Sequence, residues 1–273
     1  MLNAAGWSGM MEKRGEVCIK VLGCRGSMPA ARRDMAEFGG DTSCYQVQCG
    51  EDALYLDAGT GLMNAAPQEG RPVHILLSHA HADHILGLPM FGAFFRPGQE
   101  IVLYGRAGAG LSLEEQLNRL VSPPLWPCTL WQYPAKTRVQ EAEFPLRIGP
   151  FTVWAMESCH PGGSLILKVA AEGRSIVYAT DFEHTPDKEK ELIAFSRGAD
   201  LLLYDAQYTQ AMFEKKKGFG HSTGEAGLRV ARESGVKLLR FIHHDPFYTD
   251  VMLRTREESL GAAFARQGEV IRL

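Results

Sequence analysis

The sequence predicts a four-layer α/β fold, αββα: two mixed β-sheets face to face with helices outside, built by residues 16–273 as one domain. Three observations lead there. Five β-like runs end at a residue with an imidazole or carboxylate side chain: Leu77 before His79, Ser158 before His160, Ala179 before Asp181, Tyr204 before Asp205, and Ile242 before His243. Strand ends of this kind gather along one edge of a sheet, where α/β folds build their sites. The two halves of the chain also follow the same plan of strands, polar turn and helix, and no shift of composition marks a linker between them.

The elements follow in order. Val17 to Leu22 reads as a strand entering the turn Gly23-Cys24-Arg25-Gly26-Ser27, and residues 32–41 read as loop. Cys44 to Cys49 and Ala53 to Asp57 form a hairpin around Gly50-Glu51-Asp52. Asp57-Ala58-Gly59-Thr60-Gly61 starts a short helix, and Val73 to Leu77 is a buried strand. Met90 to Phe95 is apolar enough for a helix lying on the sheet, and Glu100 to Tyr104 is a strand. Ser112, with Glu115 three residues on, caps a helix that runs to Leu120. Ser122 to Pro127 holds three prolines in five residues and must be loop; its aromatic content suits a cleft wall or core packing equally.

The second half starts from strands near Val139 to Glu143, then Phe151 to Ser158, Ser164 to Ala171 and Arg174 to Ala179. Helices are expected over Asp187 to Arg197, over Ser222 to Glu233 with Ser222-Thr223-Gly224-Glu225 as capping box, and over Thr249 to Ala265. Leu201 to Tyr204, Lys237 to Ile242 and Glu269 to Leu273 complete the strands.

Composition bounds the function classes. Hydrophobic content of 45% with 22% charge suits a globular protein with a substantial core. A net charge of −3 gives no general electrostatic reason to bind a polyanion, and the basic run Lys215-Lys216-Lys217 reads as a solvated loop. The six cysteines lack CxxC spacing, which favours reduced thiols over a disulfide framework. No run approaches 18 apolar residues, so no membrane span is expected. Residues 1–15 lack the basic-then-apolar order of a secretion signal and read as a mobile extension, so the expected compartment is cytoplasmic.

The chemistry is announced by His79-Ala80-His81-Ala82-Asp83-His84, three imidazoles and a carboxylate in six residues directly after a buried strand. Neutral imidazole nitrogens and carboxylate oxygens are the ligands that Zn²⁺ and Mn²⁺ accept. The glycines at 23, 26, 59 and 61 lack GxGxxG or GxxxxGK[ST] spacing, so a nucleotide-binding loop is not supported.

With His160, Asp181 and His243 added, the chain resembles the metallo-β-lactamase superfamily of αββα metal hydrolases from about residue 16 to the end. Within it the closest likeness is to the phosphodiesterase branch, which holds phosphoribosyl cyclic phosphodiesterases, cyclic-nucleotide phosphodiesterases and the tRNA 3′-processing ribonuclease. Gly220-His221-Ser222-Thr223 and His243-His244-Asp245-Pro246 carry that likeness, with Leu56-Asp57-Ala58-Gly59-Thr60-Gly61 and the turns at 23–27 and 39–44. The resemblance implies two divalent ions, Zn or Mn with Fe possible. One would be held by His79, His81 and His160, the other by Asp83, His84 and His243, with Asp181 bridging. Alignment with the family's strand end favours His243 over His244 for the last position; His244 would then stand behind the ligands or touch substrate.

The reaction this implies is in-line attack of a metal-bound hydroxide on phosphorus. Asp83 belongs to the catalytic set as well as to the ligands. The departing oxygen needs a proton; His221 is the candidate general acid, oriented by Asp205. The bland alternative makes His221 a loop residue and Asp205 a cap. The expected partner is a small cyclic or linear phosphodiester, of cyclic-nucleotide or phosphoribosyl cyclic phosphate type, turned over by a homodimer. The rivals are a tRNA- or RNA-processing nuclease, a lactone, thioester or lactam hydrolase, and a metal-binding scaffold or sensor. Nucleic acid is disfavoured by the net charge and by the lack of a glycine-rich basic arm.

Overall fold

The structure is a computed structural model that describes residues 15–273, so the extension expected over 1–15 lies outside it except for Gly15. β1 (Val17–Gly23), β2 (Cys44–Cys49), β3 (Asp52–Leu56), β4 (Val73–Leu76), β5 (Glu100–Gly105) and β6 (Lys136–Glu141) belong to the first sheet. β7 (Leu146–Ile148), β8 (Phe151–Glu157), β9 (Leu165–Ala171), β10 (Arg174–Ala179), β11 (Leu201–Asp205) and β12 (Leu238–Ile242) form the second, and β13 (Val270–Arg272) returns to the first. Strand order is β13-β1-β2-β3-β4-β5-β6 in one sheet and β12-β11-β10-β9-β8-β7 in the other.

In each sheet an antiparallel half is followed by a parallel one. β3, β4, β5 and β6 pair parallel in the first sheet, as β10, β11 and β12 do in the second. Parallel neighbours end at the same edge, which is why the polar strand ends collect there.

Three apolar clusters lie between four layers. Leu54, Leu56, Leu76, Val153, Leu167, Leu201 and Leu203 fill the space between the sheets. Outside the first sheet, Ile75, Leu77, Ile101 and Leu103 pack against α1 (Ala82–Ile85), α2 (Leu113–Leu120) and the short turns carrying Leu88, Phe91 and Phe94. Outside the second, Val177, Leu202, Tyr204 and Phe241 meet α3 (Pro186–Ser196), α5 (Gly224–Ser234) and α6 (Asp250–Leu260). Leu76 faces one cluster while Ile75 and Leu77 face another, as the two-residue strand period requires. The predicted αββα layering is therefore the observed one.

Several local expectations need correcting. Met90 to Phe95 is not one helix: a 3₁₀ turn over Leu88–Met90 and another over Gly92–Phe95 are separated by Phe91, which is extended (φ −70°, ψ 120°). Thr223, not Ser222, caps α5 by accepting from the Ala226 amide; the Ser222 hydroxyl is bonded to Tyr204 and His184 instead. α6 stops at Leu260 because Gly261 takes a left-handed conformation (φ 63°), so the chain through Ala265 is not helical. The short strand β7 and helix α4 (Gln210–Lys215) were not anticipated; neither is long enough to show a period in the sequence. Trp126 and Tyr133 settle the proline loop as packing: Trp126 Nε1 donates to Tyr133, whose hydroxyl donates to the Pro89 carbonyl.

Candidate metal centre

The nine side chains singled out as ligands or catalytic groups converge at the shared edge of the two sheets. His79 and His81 lie in the turn after β4, Asp83 and His84 on α1, and His160 just beyond β8. Asp181 follows β10, Asp205 ends β11, His221 precedes α5, and His243 follows β12. Asp181 stands at the middle. Its Oδ2 lies 3.0 Å from His84 Nε2 and 3.3 Å from His243 Nε2; its Oδ1 lies 3.5 Å from His160 Nε2 and 4.0 Å from His79 Nε2. Asp83 Oδ2 is 3.2 Å from His243 Nε2 and 3.3 Å from His84 Nε2. His81 Nδ1 points to the same place as His160 Nε2, 3.0 Å away. His79, His81 and His160 form one group with ligand atoms within 4.8 Å of one another, and Asp83, His84 and His243 form a second.

The donors fit divalent cations. The Nε2 atoms of His79 and His84 are buried yet make no hydrogen bond, a costly arrangement unless their lone pairs have another partner. The opposite ring nitrogens of His79, His84, His160 and His243 are engaged, which fixes the tautomer that leaves their Nε2 atoms as ligands. His84 Nδ1 donates to Asp57 Oδ2 (2.6 Å), His160 Nδ1 to the Gly220 carbonyl (3.1 Å) and His243 Nδ1 to Gln207 Oε1 (3.1 Å). His79 Nδ1 donates to Ser78 Oγ (3.1 Å), whose own proton goes to Asp57 (2.8 Å).

Sequence reasoning missed this outer set. Asp57 is fully buried and also accepts from the Ser78 amide and the Tyr178 hydroxyl, so one carboxylate joins β3, the His79 turn and β10. It stands at a strand end ahead of Gly59-Thr60-Gly61, the same pattern that exposed Asp181 and Asp205, but the sequence shows it only as the start of a short helix. Glu183 is a second omission: its carboxylate accepts from the amides of Gly218 and Gly220 and so pins the loop before His221. Gln207 carried no signal in the sequence.

His221 Nδ1 is 2.9 Å from Asp205 Oδ2, while its ring stacks at 4.9 Å on His243 and lies edge-on to Tyr208. His244 points away from the centre. Its Nε2 donates to the Ala265 carbonyl and its ring packs edge-on to Phe38, so it neither backs the ligands nor reaches a substrate. The backbone makes this split: His243 lies past β12 in the left-handed region (φ 60°). Asp57, Asp181 and Ser27 share that conformation (φ 60°, 49° and 62°), so backbone strain is concentrated around the centre. Close packing adds to it: a Cβ on Gly220 would meet His160 Nδ1 at 2.0 Å, and one on Gly26 would meet His243 Nδ1 at 2.4 Å.

The electrostatics describe a cluster waiting for positive charge. Burial opposes the charge on Asp83 and Asp181, but the surrounding imidazoles outweigh it and hold both carboxyls well below the usual range. Burial likewise opposes a proton on His84 and His243, yet the carboxylates prevail. They raise His84 well above normal and His243 to about 9. Burial keeps His79 well below its normal value, and the His84 charge adds to that.

A fold of this layering with a buried His/Asp cluster at its sheet edge defines a metal-dependent hydrolase. The chain belongs to the β-lactamase superfamily, whose domain model matches residues 53–244. The probable metallo-hydrolase YhfI of Bacillus subtilis is 26% identical over 253 residues, covering 89% of this chain and 93% of YhfI. Its crystal structure superposes with a TM-score of 0.70 at 25% identity, over 94% of this chain and all of that one. Ribonuclease Z of Porphyromonas gingivalis is 25% identical, over 85% of this chain and 90% of its own. A diphosphatase of the PhnP family shares the fold at 19% identity, TM-score 0.70, over 94% of this chain and 98% of its own. Among the described residues no helix is long and apolar enough to cross a membrane.

Proposed function

We propose that this hydrolase is a phosphodiesterase with two divalent cations, Zn or Mn, acting on a small cyclic or linear phosphodiester. His79, His81 and His160 would hold one ion and Asp83, His84 and His243 the other, with Asp181 between them, one carboxylate oxygen toward each group. Bound there, the ions would activate a water nucleophile and neutralise charge on the phosphoryl oxygens.

The observation that carries the reading is the His221–Asp205 pair beside the cluster. Asp205 accepts the hydrogen bond from Nδ1–H, which leaves Nε2 for the substrate; in the imidazolium form the Nε2 proton can pass to a departing alkoxide. Phosphodiesters with alkoxide leaving groups need that proton. A cavity of about 460 Å³ opens over the site between Ser27, His81, His160, Phe219 and His221, large enough for a small-molecule ester. Glu183 fixes the backbone of the loop that delivers His221, and Asp57 fixes His84. The ribonuclease Z relative supports phosphorus chemistry. The ribonuclease also keeps an RNA-processing reading alive, for which a 3′-extended pre-tRNA is the test substrate.

The deciding experiment assays metal-loaded protein on bis(p-nitrophenyl) phosphate against a β-lactam and a thioester. Phosphodiester turnover should dominate, and turnover confined to the lactam or thioester would overturn the reading. His221→Ala should lower kcat on an alkyl diester by about 10²–10⁴-fold, since a general acid contributes that much. On a p-nitrophenyl ester, whose leaving group needs no proton, it should cost far less.

A further inference from the structure

Ser27 stands where the backbone favours a glycine. Its φ of 62° lies in the left-handed region, which disfavours a side chain, yet the position carries a hydroxymethyl group. An outlier of that kind beside a reactive centre calls for a use of the side chain. Ser27 is half-buried and lines the cavity over the cluster together with Asp83, Asp181 and His221.

The turn that carries it is held from several directions. The Arg25 guanidinium ties it to the carbonyls of Gly39, Asp245 and Tyr248. The Gly26 amide donates to the His244 carbonyl at 2.8 Å, and Gly26 lies so close to the His243 ring that a Cβ has no room. The Ser27 amide donates to Asp83 Oδ2 at 2.7 Å. The hydroxyl therefore has a fixed place beside the group formed by Asp83, His84 and His243.

The direction of its proton follows from a chain of bonds. His243 turns Nε2 to Asp83 and Asp181, so Nδ1–H donates to Gln207 Oε1 at 3.1 Å. Gln207 can then offer only its NH₂ group at the other end, and Nε2 donates to Ser27 Oγ at 3.0 Å. The hydroxyl accepts in that bond, so its own proton must go elsewhere. Among the described residues no acceptor takes it, and the open side is the cavity. Gln207 is itself buried, its amide donating to Asp205 Oδ1 at 3.0 Å, while Asp205 Oδ2 orients His221. Ser27 and His221 thus stand around one cavity on a common support.

We infer that Ser27 is a catalytic residue whose hydroxyl donates a hydrogen bond to a non-bridging phosphoryl oxygen of the substrate. The inference rests on the phosphodiesterase reading above. A phosphodiester carries its negative charge on those oxygens, and a hydrogen bond to an ionised acceptor is roughly twice as strong as a neutral one. The proton stays on Ser27 throughout. His221 serves the departing oxygen, Ser27 serves the charge that remains, and Gln207 is the positioning residue that aims the hydroxyl.

The test uses Ser27→Gly and Ser27→Ala in the metal-loaded enzyme. Both remove the hydroxyl and keep the amide that holds Asp83; glycine also relieves the backbone, so a strained turn cannot explain its loss. Each variant should lose about tenfold or more in kcat/KM, the lower end of what a hydrogen bond to a charged group contributes. The loss should be equal on bis(p-nitrophenyl) phosphate and on an alkyl diester, in contrast to His221→Ala. Binding of inorganic phosphate, followed by calorimetry, should weaken by a similar factor while bound metal stays near wild type. The inference is overturned if Ser27→Gly keeps the wild-type rate or phosphate affinity, if its loss is confined to the alkyl diester, or if activity falls only as metal is lost. Wild-type turnover confined to a lactam or thioester removes the phosphodiesterase reading instead, and the inference with it.

Discussion

Asp57 shows how much one residue can hold. Its two oxygens take hydrogen bonds from Ser78, His84 and Tyr178, in a site with no access to water. Asp57→Asn keeps the shape but sets an NH₂ donor against either the Ser78 amide, which uses Oδ1, or the His84, Tyr178 and Ser78 side chains, which share Oδ2. Metal affinity should fall about 10–100-fold, the usual effect of losing a ligand's outer partner; chelator competition measures it. Affinity equal to wild type would show that His84 needs no such support. Cys24 illustrates the opposite case, a reactive group made inert. Burial pushes its thiol up to about 12, only partly offset by the adjacent Arg25 guanidinium, and its Sγ is directed at the Phe38 and Ala265 carbonyls. Since the thiolate is the nucleophile, it should stay unlabelled by an aromatic disulfide at pH 8. Cys128 and Cys159, which are half-buried, should react first, and rapid native labelling of Cys24, located by peptide mapping, would contradict the packing.

At the scale of elements, the decisive pieces are the turns after the strands. The loop from Gly218 to His221 is held by a single carboxylate, Glu183. Glu183→Ala should lower kcat on an alkyl diester about tenfold or more, with a smaller loss of metal affinity, because the loop brings His221 and touches the ligands only through the Gly220 carbonyl behind His160. Metal analysis alongside kinetics separates the two; unchanged kcat would show that the loop holds its place without Glu183. A capping pair in the sequence marked one helix start correctly and misplaced another by one residue. Ser112 and Glu115 form the reciprocal cap expected of them, whereas Ser222 does not, because its hydroxyl is claimed by Tyr204 and His184. Local pattern loses when a long-range partner offers a buried polar group a better bond.

For the whole molecule, Arg25 is the residue that fastens distant chain segments. It is fully buried without a carboxylate partner, and its guanidinium donates to the carbonyls of Gly39, Asp245 and Tyr248. Arg25→Met should destabilise the fold by about 2 kcal/mol or more, since it leaves the buried Gly39 and Tyr248 carbonyls unpaired at roughly 1–3 kcal/mol each, while the Asp245 carbonyl keeps the Tyr248 amide. Denaturant unfolding measures it, and a loss under about 1 kcal/mol would refute the role. Removing metal should also lower the melting temperature, because a ligand bound only by the folded state stabilises it. Asp181→Ala should abolish both that shift and the retention of two ions, whereas retention of both ions would rule out the bridging place.

What the sequence by itself determined is the layering, the strand ends and the residue types that meet there. Strand periods, caps and imidazole-rich turns are local signals, and nine residues named from them do converge. Only the tertiary structure decided which atoms face inward. His243 was separated from His244 by a left-handed backbone residue rather than by the pleat, and Asp57, Glu183 and Gln207 gained their roles from partners 27 to 37 positions away. The physical reason is that a buried polar group must find its hydrogen-bond partner in space, and sequence spacing does not encode which distant group will be there.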